Sequence, residues 1–506
     1  MNRAIKMLSS LLLAGSSLNV NAVPLSDTSL NIDNYRLTNI QRISRFEYEY
    51  TYSADAINTG AALGNVTATL GSNSNAMTVT EGSLSFGNIA DNTTQSSNDT
   101  FSVRHNRRVG TFDTSAFLWD VSISPNLDPT AFILKIKTDN ITVSPFNPNP
   151  PSDSEFTIPV SGGIFLNYDY TVDCDSDGIS EASNVTDSYT CQYNAPGIYT
   201  VSITGTFPKI VFNRSTEAKK LISIEQWGSQ EWDDMELSFA GCINMIYNAT
   251  DKPNLSRVTR LNAMFWGAEV FNGNIDNWDV SNVQDMTLLF AGAKLFNQTI
   301  SSWNVSRVRS MEFMFSGATD FDKDLGNWDT GNVTNMKDMF EGAINFNQNI
   351  SQWNTGNVTT MFRMFQDAAS FNQDISQWDV SKVTNMAYMF ARQFKSSPFN
   401  QSLTTWDVSS VTDMQGMFRL SNFNSAIDNW DVSSVTDMSR MFEQNFSFNQ
   451  GISSWNVSAV TSMERMFTRA VNFTDHDLST WDVRNVALHD FFLAGAGSGN
   501  IAPQWP

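Results

Sequence analysis

Val333-Thr-Asn-Met336-Lys-Asp-Met339-Phe340-Glu-Gly-Ala343-Ile-Asn-Phe346-Asn347-Gln-Asn-Ile350-Ser-Gln-Trp353-Asn354 is one unit of a pattern that fills nearly half of the chain. Trp recurs at 278, 303, 328, 353, 378, 406, 430, 455 and 481, at intervals of 25, 25, 25, 25, 28, 24, 25 and 26 residues. A fixed period in the twenties marks a repeat array, in which each unit buries its apolar face only against its neighbours. Residues 258–492 therefore read as about nine repeat units.

The pattern inside a unit predicts how one coil is built. Val333, Met336, Met339 and Phe340 stand at i, i+3, i+6 and i+7, which is one face of a short helix. Ala343 continues that face, and Gly342 suits its end. Phe346 to Trp353 reads as a short extended segment, closed by a polar turn at Asn354-Thr-Gly-Asn357. Three residues are added between Phe390 and Phe399, and one is lost between Phe418 and Phe423. Both changes fall in the expected helix-to-strand connection, where length is tolerated. One residue added between Phe473 and Trp481 predicts a bulge in that strand.

The run Phe371-Asn-Gln-Asp-Ile375-Ser-Gln-Trp378-Asp-Val380-Ser-Lys-Val383-Thr-Asn-Met386 resembles the BspA-like leucine-rich repeat of bacterial surface proteins, a family of unknown function. The resemblance implies a right-handed α/β leucine-rich-repeat-like solenoid, with parallel strands on one side and short helices on the other. It also implies surface display and binding, with no catalytic residues.

The rest of the chain reads as smaller modules placed before the array. Arg3 and Lys6, the apolar run Met7–Ala14 and the small residues Val20-Asn-Ala22 have the form of a secretory signal peptide over 1–22. No Cys follows it, which argues against a lipid anchor, and no later run is long enough to span a bilayer as a helix. Retention at a surface would need a partner. Residues 45–144 predict an immunoglobulin-like β-sandwich, because Phe46, Tyr48, Tyr50 and Tyr52 alternate with polar residues. Pro145, Pro148, Pro150 and Pro151 read as a stiff linker. A smaller β-sandwich is expected over 155–215. Its end, Ala195-Pro-Gly-Ile-Tyr199-Thr-Val-Ser-Ile203, resembles the last strand pair of polycystic-kidney-disease-type domains. Residues 216–257 fit an N-terminal cap for the array, and 493–506 a C-terminal tail.

Composition narrows the function classes. With 52 acidic and 31 basic residues the formal charge is −21, which argues against nucleic acid and anionic membranes as partners. Asp173, Asp175 and Asp177, followed by Gly178 and Glu181, have the alternate spacing of a short calcium loop. The competing reading is a polar turn with no metal; calcium is the one cofactor the sequence suggests. Cys174 and Cys191 are expected to pair in an exported protein. Cys242 replaces a buried Ala of the repeat and is expected to be a free, buried thiol. His105, His476 and His489 show neither zinc spacing nor a nucleophile motif, so a secreted hydrolase is the poorest reading.

The Met, Phe and Trp columns read as core. The Asn after each second Phe, such as Asn272, Asn297, Asn347 and Asn372, is expected to bond neighbouring coils. The Asp or Asn after each Trp is expected to cap the turn into the next helix rather than bind ligand. What varies is an outward column, Gln298, Gln348, Gln373, Gln401 and Gln450, which is the predicted ligand-binding strip. A merely solvated face is the alternative. The expected function is thus non-enzymatic adhesion or recognition of a protein or polysaccharide at a bacterial cell surface. The alternative is a structural spacer or matrix component without a specific ligand.

Overall fold

A computed structural model of the protein describes residues 30–60, 63–90, 92–123, 128–140, 154–161 and 166–506. The expected signal segment 1–22 and Pro145, Pro148, Pro150 and Pro151 lie outside the described residues. Two compact units are present, one ending at Asp128 and the other taking in nearly everything from Pro129 onward.

In the first unit, β1 (Leu30–Arg42), β2 (Glu47–Asn58), β4 (Met77–Glu81), β6 (Thr94–Ser96) and β7 (Phe101–Asn106) make one sheet, in which β6 pairs with β2 off the path β1-β2-β7-β4. β3 (Leu63–Ser72), β5 (Ser83–Ile89) and β8 (Phe117–Ile123) make a second, in the order β5-β3-β8. Period-2 patterning explains the shared core. Val66, Ala68 and Leu70 alternate inward from β3, Leu84 and Phe86 from β5, and Phe101 and Val103 from β7. Tyr52 stacks on Phe101 at 5.6 Å. The expected domain began at residue 45, but β1 opens the sheet at Leu30 and is antiparallel to β2.

The second unit begins with β9 (Phe132–Lys137), which the sequence placed in the first domain. Phe132, Ile133, Leu134 and Ile136 are all buried, so β9 is covered on both faces. It lies between β14 (Ile198–Thr206) and β15 (Leu221–Gln226) in the order β12-β11-β14-β9-β15-β16. There β11 is Asp169–Asp173, β12 is Ala182–Val185 and β16 is Ile246–Tyr247. A two-stranded sheet joins β10 (Glu155–Ile158) to β13 (Tyr189–Gln192). One apolar core runs without a break from Phe132 through the repeat array to Phe492.

The array is not the α/β solenoid that the pattern and the resemblance imply. Among the described residues the only α-helix is α1 (Glu217–Lys220), and it precedes the array. Val333–Ala343 forms linked turns instead. The N–H groups of Met336, Asp338, Phe340 and Gly342 donate to the carbonyls of Thr360, Phe362, Met364 and Gln366 in the next coil. The N–H groups between them turn back, Met339, Glu341 and Ala343 donating to Met336, Asp338 and Phe340. A helix would send both sets to carbonyls four residues earlier in the same segment. Backbone angles prevent that: φ is +56 at Asp338 and +66 at Gly342. Non-glycine residues take this left-handed conformation at Leu288, Phe313, Arg363 and Tyr388 too. Each costs about 1–2 kcal/mol, offset by inter-coil hydrogen bonds of about 0.5–1.5 kcal/mol each.

Parallel bridges mark the register from coil to coil, running Arg260, Asp285, Ser310, Asn335, Thr360, Asn385 and onward to Leu488. The expected strand at Phe346–Trp353 is absent, and with it the strand in which a bulge between Phe473 and Trp481 would sit. The buried spacing is nevertheless as read. Phe340 stacks on Phe315 at 5.5 Å and on Phe365 at 5.6 Å, and on Phe346 of its own coil at 4.0 Å. Trp353 lies parallel to Trp328 and Trp378. Its indole N–H donates to the Leu325 carbonyl of the preceding coil at 2.9 Å, and the same bond recurs from Trp303 to Trp481.

Rings set edge-on close both ends of the column. Trp227 meets Trp278 at 87° and donates to the Tyr247 hydroxyl, which also accepts from Trp278. At the other end Phe492 meets Phe467 at 87°, and Trp505 packs on Phe492 and His489. Residues 493–506, expected as a tail, thus contribute to a cap, and Ile501 bridges to Asp477.

Candidate functional site

The outward strip is built on the Asn ladder. Asn347 Oδ1 accepts from the Asn372 backbone N–H at 3.0 Å, and Asn372 Oδ1 accepts from Asn400 N–H at 3.0 Å. Asp322 holds the same place one coil earlier, accepting from Asn347 N–H at 3.0 Å. These amides are half-buried or exposed, so they bond coils at the surface rather than in the core.

The predicted glutamines hang on the same ladder. Gln373 Nε2 donates to Asn347 Oδ1 at 3.0 Å and to its carbonyl at 2.8 Å. Gln401 makes the same pair of bonds to Asn372. Gln348 Nε2 donates to Asp322 Oδ1 at 2.8 Å, Gln298 to Asn272 and Gln450 to Asn424. The five are brought into one column, half-buried, with their amide nitrogens committed between coils. The sequence did not show this commitment, because it follows from the stacking offset.

The residue after each Trp caps a turn, as Asp379 shows, but among the described residues the helix expected after that turn does not form. Asp379 Oδ1 accepts from the Ser381 hydroxyl at 2.7 Å and its N–H at 3.0 Å, which holds the Asp379 carboxyl below the usual carboxylate range.

The acidic loop lies between β11 and β12. Asp173, Asp175 and Asp177 each bring a carboxylate oxygen within 4.8 Å of the others. Asp173 also accepts from the Asp175 N–H and Asp177 from the Ile179 N–H. Glu181 is not in that group. Its carboxylate accepts from the Cys174 N–H at 2.6 Å, and burial pushes its pKa up. Calcium takes six to eight oxygens. Three of the four predicted acids are therefore brought together, offering three of those oxygens, and the fourth serves the backbone. Cys174 and Cys191 form a disulfide that ties this loop to β13. Cys242 is free and buried, and burial raises its thiol well above the ordinary value.

Sequence reasoning passed over a second feature, on the face where left-handed residues recur. At the coil with three extra residues, Phe362, Arg363, Tyr388, Arg392, Phe394 and Arg419 line an open groove of about 450 Å³. Gly416 makes room for it, since a Cβ there would collide with the Tyr388 ring. The available signal was variation at one repeat position, Leu288, Phe313, Asp338, Arg363, Tyr388, Gly416 and Arg440, between the constant Met and Phe columns. Among the described residues no helix is long and apolar enough to cross a membrane.

A family model described as "Mycoplasma protein of unknown function, DUF285" matches residues 233–332, 320–397 and 393–505. Those segments cover the coils, part of their N-terminal cap and the end cap. No curated protein and no solved structure matches the chain.

Proposed function

The chain belongs to the DUF285 family of proteins of unknown function, and we propose that it is a non-enzymatic recognition protein, secreted or held at a bacterial cell surface. It binds a protein or polysaccharide across several coils rather than in one pocket. Kinship with BspA-like surface proteins, and with polycystic-kidney-disease-type modules near β14, belongs to the same reading.

One observation carries it. Gln298, Gln348, Gln373, Gln401 and Gln450 are each held through Nε2 by the ladder, so these side chains are oriented in advance, in a column interrupted at Lys323 and Ser425. A row ordered in advance costs little entropy on binding. Contacts spread along it are individually weak and jointly sufficient. A spacer is the second reading, and the same hydrogen bonds favour it, because they give each Gln a structural task. The acidic loop enters as a proposed calcium site that stiffens the β11–β12 turn.

The two readings are separated by replacing Gln348, Gln373 and Gln401 together with Ala. Single changes are expected to weaken binding modestly and the triple change to remove most of it, with a small fall in melting temperature from the lost ladder bonds. Binding is measured against arrays of glycans and matrix proteins. A triple variant that folds and binds every wild-type ligand equally well leaves the row as scaffold.

A further inference from the structure

We propose that the groove at the expanded coil binds a carboxylate-bearing saccharide. Three guanidinium groups and three aromatic rings line it, and no carboxylate does, in a chain whose formal charge is −21. The counter-charges lie alongside or behind. Arg363 Nε pairs with Asp338 at 2.7 Å, Arg419 Nε with Glu443 at 2.9 Å and Arg392 Nε with Asp367 at 3.4 Å. Asp338 and Glu443 are 0% and 5% exposed, against 34% and 24% for their arginines. In those two pairs the carboxylate is inside and the guanidinium faces out. Arg392 is the more buried partner of its pair, so it backs the groove.

Arg419 donates from Nε to Glu443 and from Nη1 to the Arg392 carbonyl, and Arg363 donates from Nη2 to Asp338 at 3.2 Å, so these two guanidinium groups are positioned before any ligand arrives. A fixed planar fork suits a carboxylate. The aromatic groups supply the other half of the recognition. The Arg363 guanidinium lies 4.8 Å over Phe362, whose ring meets Tyr388 edge-on. Phe394, in the inserted segment, is 89% exposed, more than any other large apolar side chain described. Ring faces accept the C–H face of a sugar, and the arginines accept its acid group.

An extended peptide fits less well. The backbone N–H groups of Arg363, Tyr388 and Arg392 already donate to Ala387, Gln415 and Arg419 of the next coil. They are not available to an added strand, so recognition falls to side chains.

The groove and the Gln row are separate surfaces, and the test keeps them apart. The full chain is titrated calorimetrically with a glucuronic acid tetrasaccharide. An uncharged glucose tetrasaccharide and a tetraglutamate peptide are the comparators. The acidic sugar is expected to bind about tenfold or more tighter than either, as one charge-assisted pair would give, and to weaken as salt rises. Phe394→Ala is expected to lower affinity roughly two- to tenfold without changing thermal unfolding. Arg419→Lys keeps the charge beside Glu443 but loses the fork, and is expected to weaken binding as well. The triple Gln variant is expected to bind the acidic sugar normally. The proposal is overturned if none of the probes binds, if the neutral sugar or the peptide binds as tightly as the acidic sugar, or if Phe394→Ala binds like wild type.

Discussion

Two identical substitutions in the same array should have opposite effects on stability. Gly317 has φ +67, and a Cβ added there would meet the Gly292 Cα and N at 3.8 Å each, an ordinary contact. Gly451 has no such angle, and a Cβ there would meet nothing within 4 Å. Gly→Ala at Gly317 therefore adds no clash and isolates the left-handed backbone, at about 1–2 kcal/mol. Restricting the unfolded chain returns about 0.4–1 kcal/mol at either site. Gly317→Ala should destabilise by about 1 kcal/mol and Gly451→Ala should stabilise by several tenths. The gap between them should be about 1–2 kcal/mol, equal to the left-handed term alone. Equilibrium urea unfolding of the full chain, followed by tryptophan fluorescence, measures both, provided the slopes match so that midpoints compare directly. Equal midpoints would refute the backbone argument, and with it the account of why these coils are not helical.

Three further outcomes are expected. Asp55 is held down to about 2 by the Arg36 guanidinium, with Ser96 and Asn34 assisting and burial opposing. Its folded pKa lies below its unfolded value, so it adds stability above the ordinary range that is lost as pH falls from 3.8 through about 2. Calorimetry of Asp55→Asn should show a first-unit transition with less acid dependence than wild type, and an unchanged profile counts against the ion pair. Alkylation of unreduced, unfolded protein should label Cys242 alone, and reduction should cost about 3 kcal/mol for a loop of this length; a label on Cys174 or Cys191 disproves the pairing. Excess calcium should raise the melting temperature of the full chain above that in chelator, and Asp175→Ala should erase the difference; superimposable melts leave the acidic loop an ordinary turn.

The sequence displayed what repeats and hid what depends on backbone sign. Column identity was legible, because a stacked interior demands the same side chain in each unit; Phe340, Trp353 and the Asn347 ladder all lie where their spacing put them. Helix was the wrong inference from the same residues. Apolar side chains at i, i+3, i+6 and i+7 suit a helix face, but linked turns closing at i−3 bury them equally well. Glycine at Gly342 hinted at a left-handed step, whereas Phe313 and Arg363 take that step with nothing in their chemistry to announce it. β9 was assigned to the wrong domain because its partners, β14 and β15, lie far along the chain. The Gln column was found, but its hydrogen bonds to the preceding coil were not, since they depend on how far one coil is offset from the next. The groove escaped notice because it is made of differences between units, and the inserted residues read as slack in a connection.

The ladder makes length a free variable of this protein. The bridge from Ser310 to Asn335 is of the same kind as those from Asn335 to Thr360 and from Thr360 to Asn385. A gene that gained or lost one internal coil would present the same surface to each neighbour, and both caps would still meet the partners they meet now. Each such event would move the ends by about 4.8 Å while leaving the chemistry at either end untouched. Duplication of a short stretch of coding sequence could thus tune how far the chain reaches without having to invent a new contact.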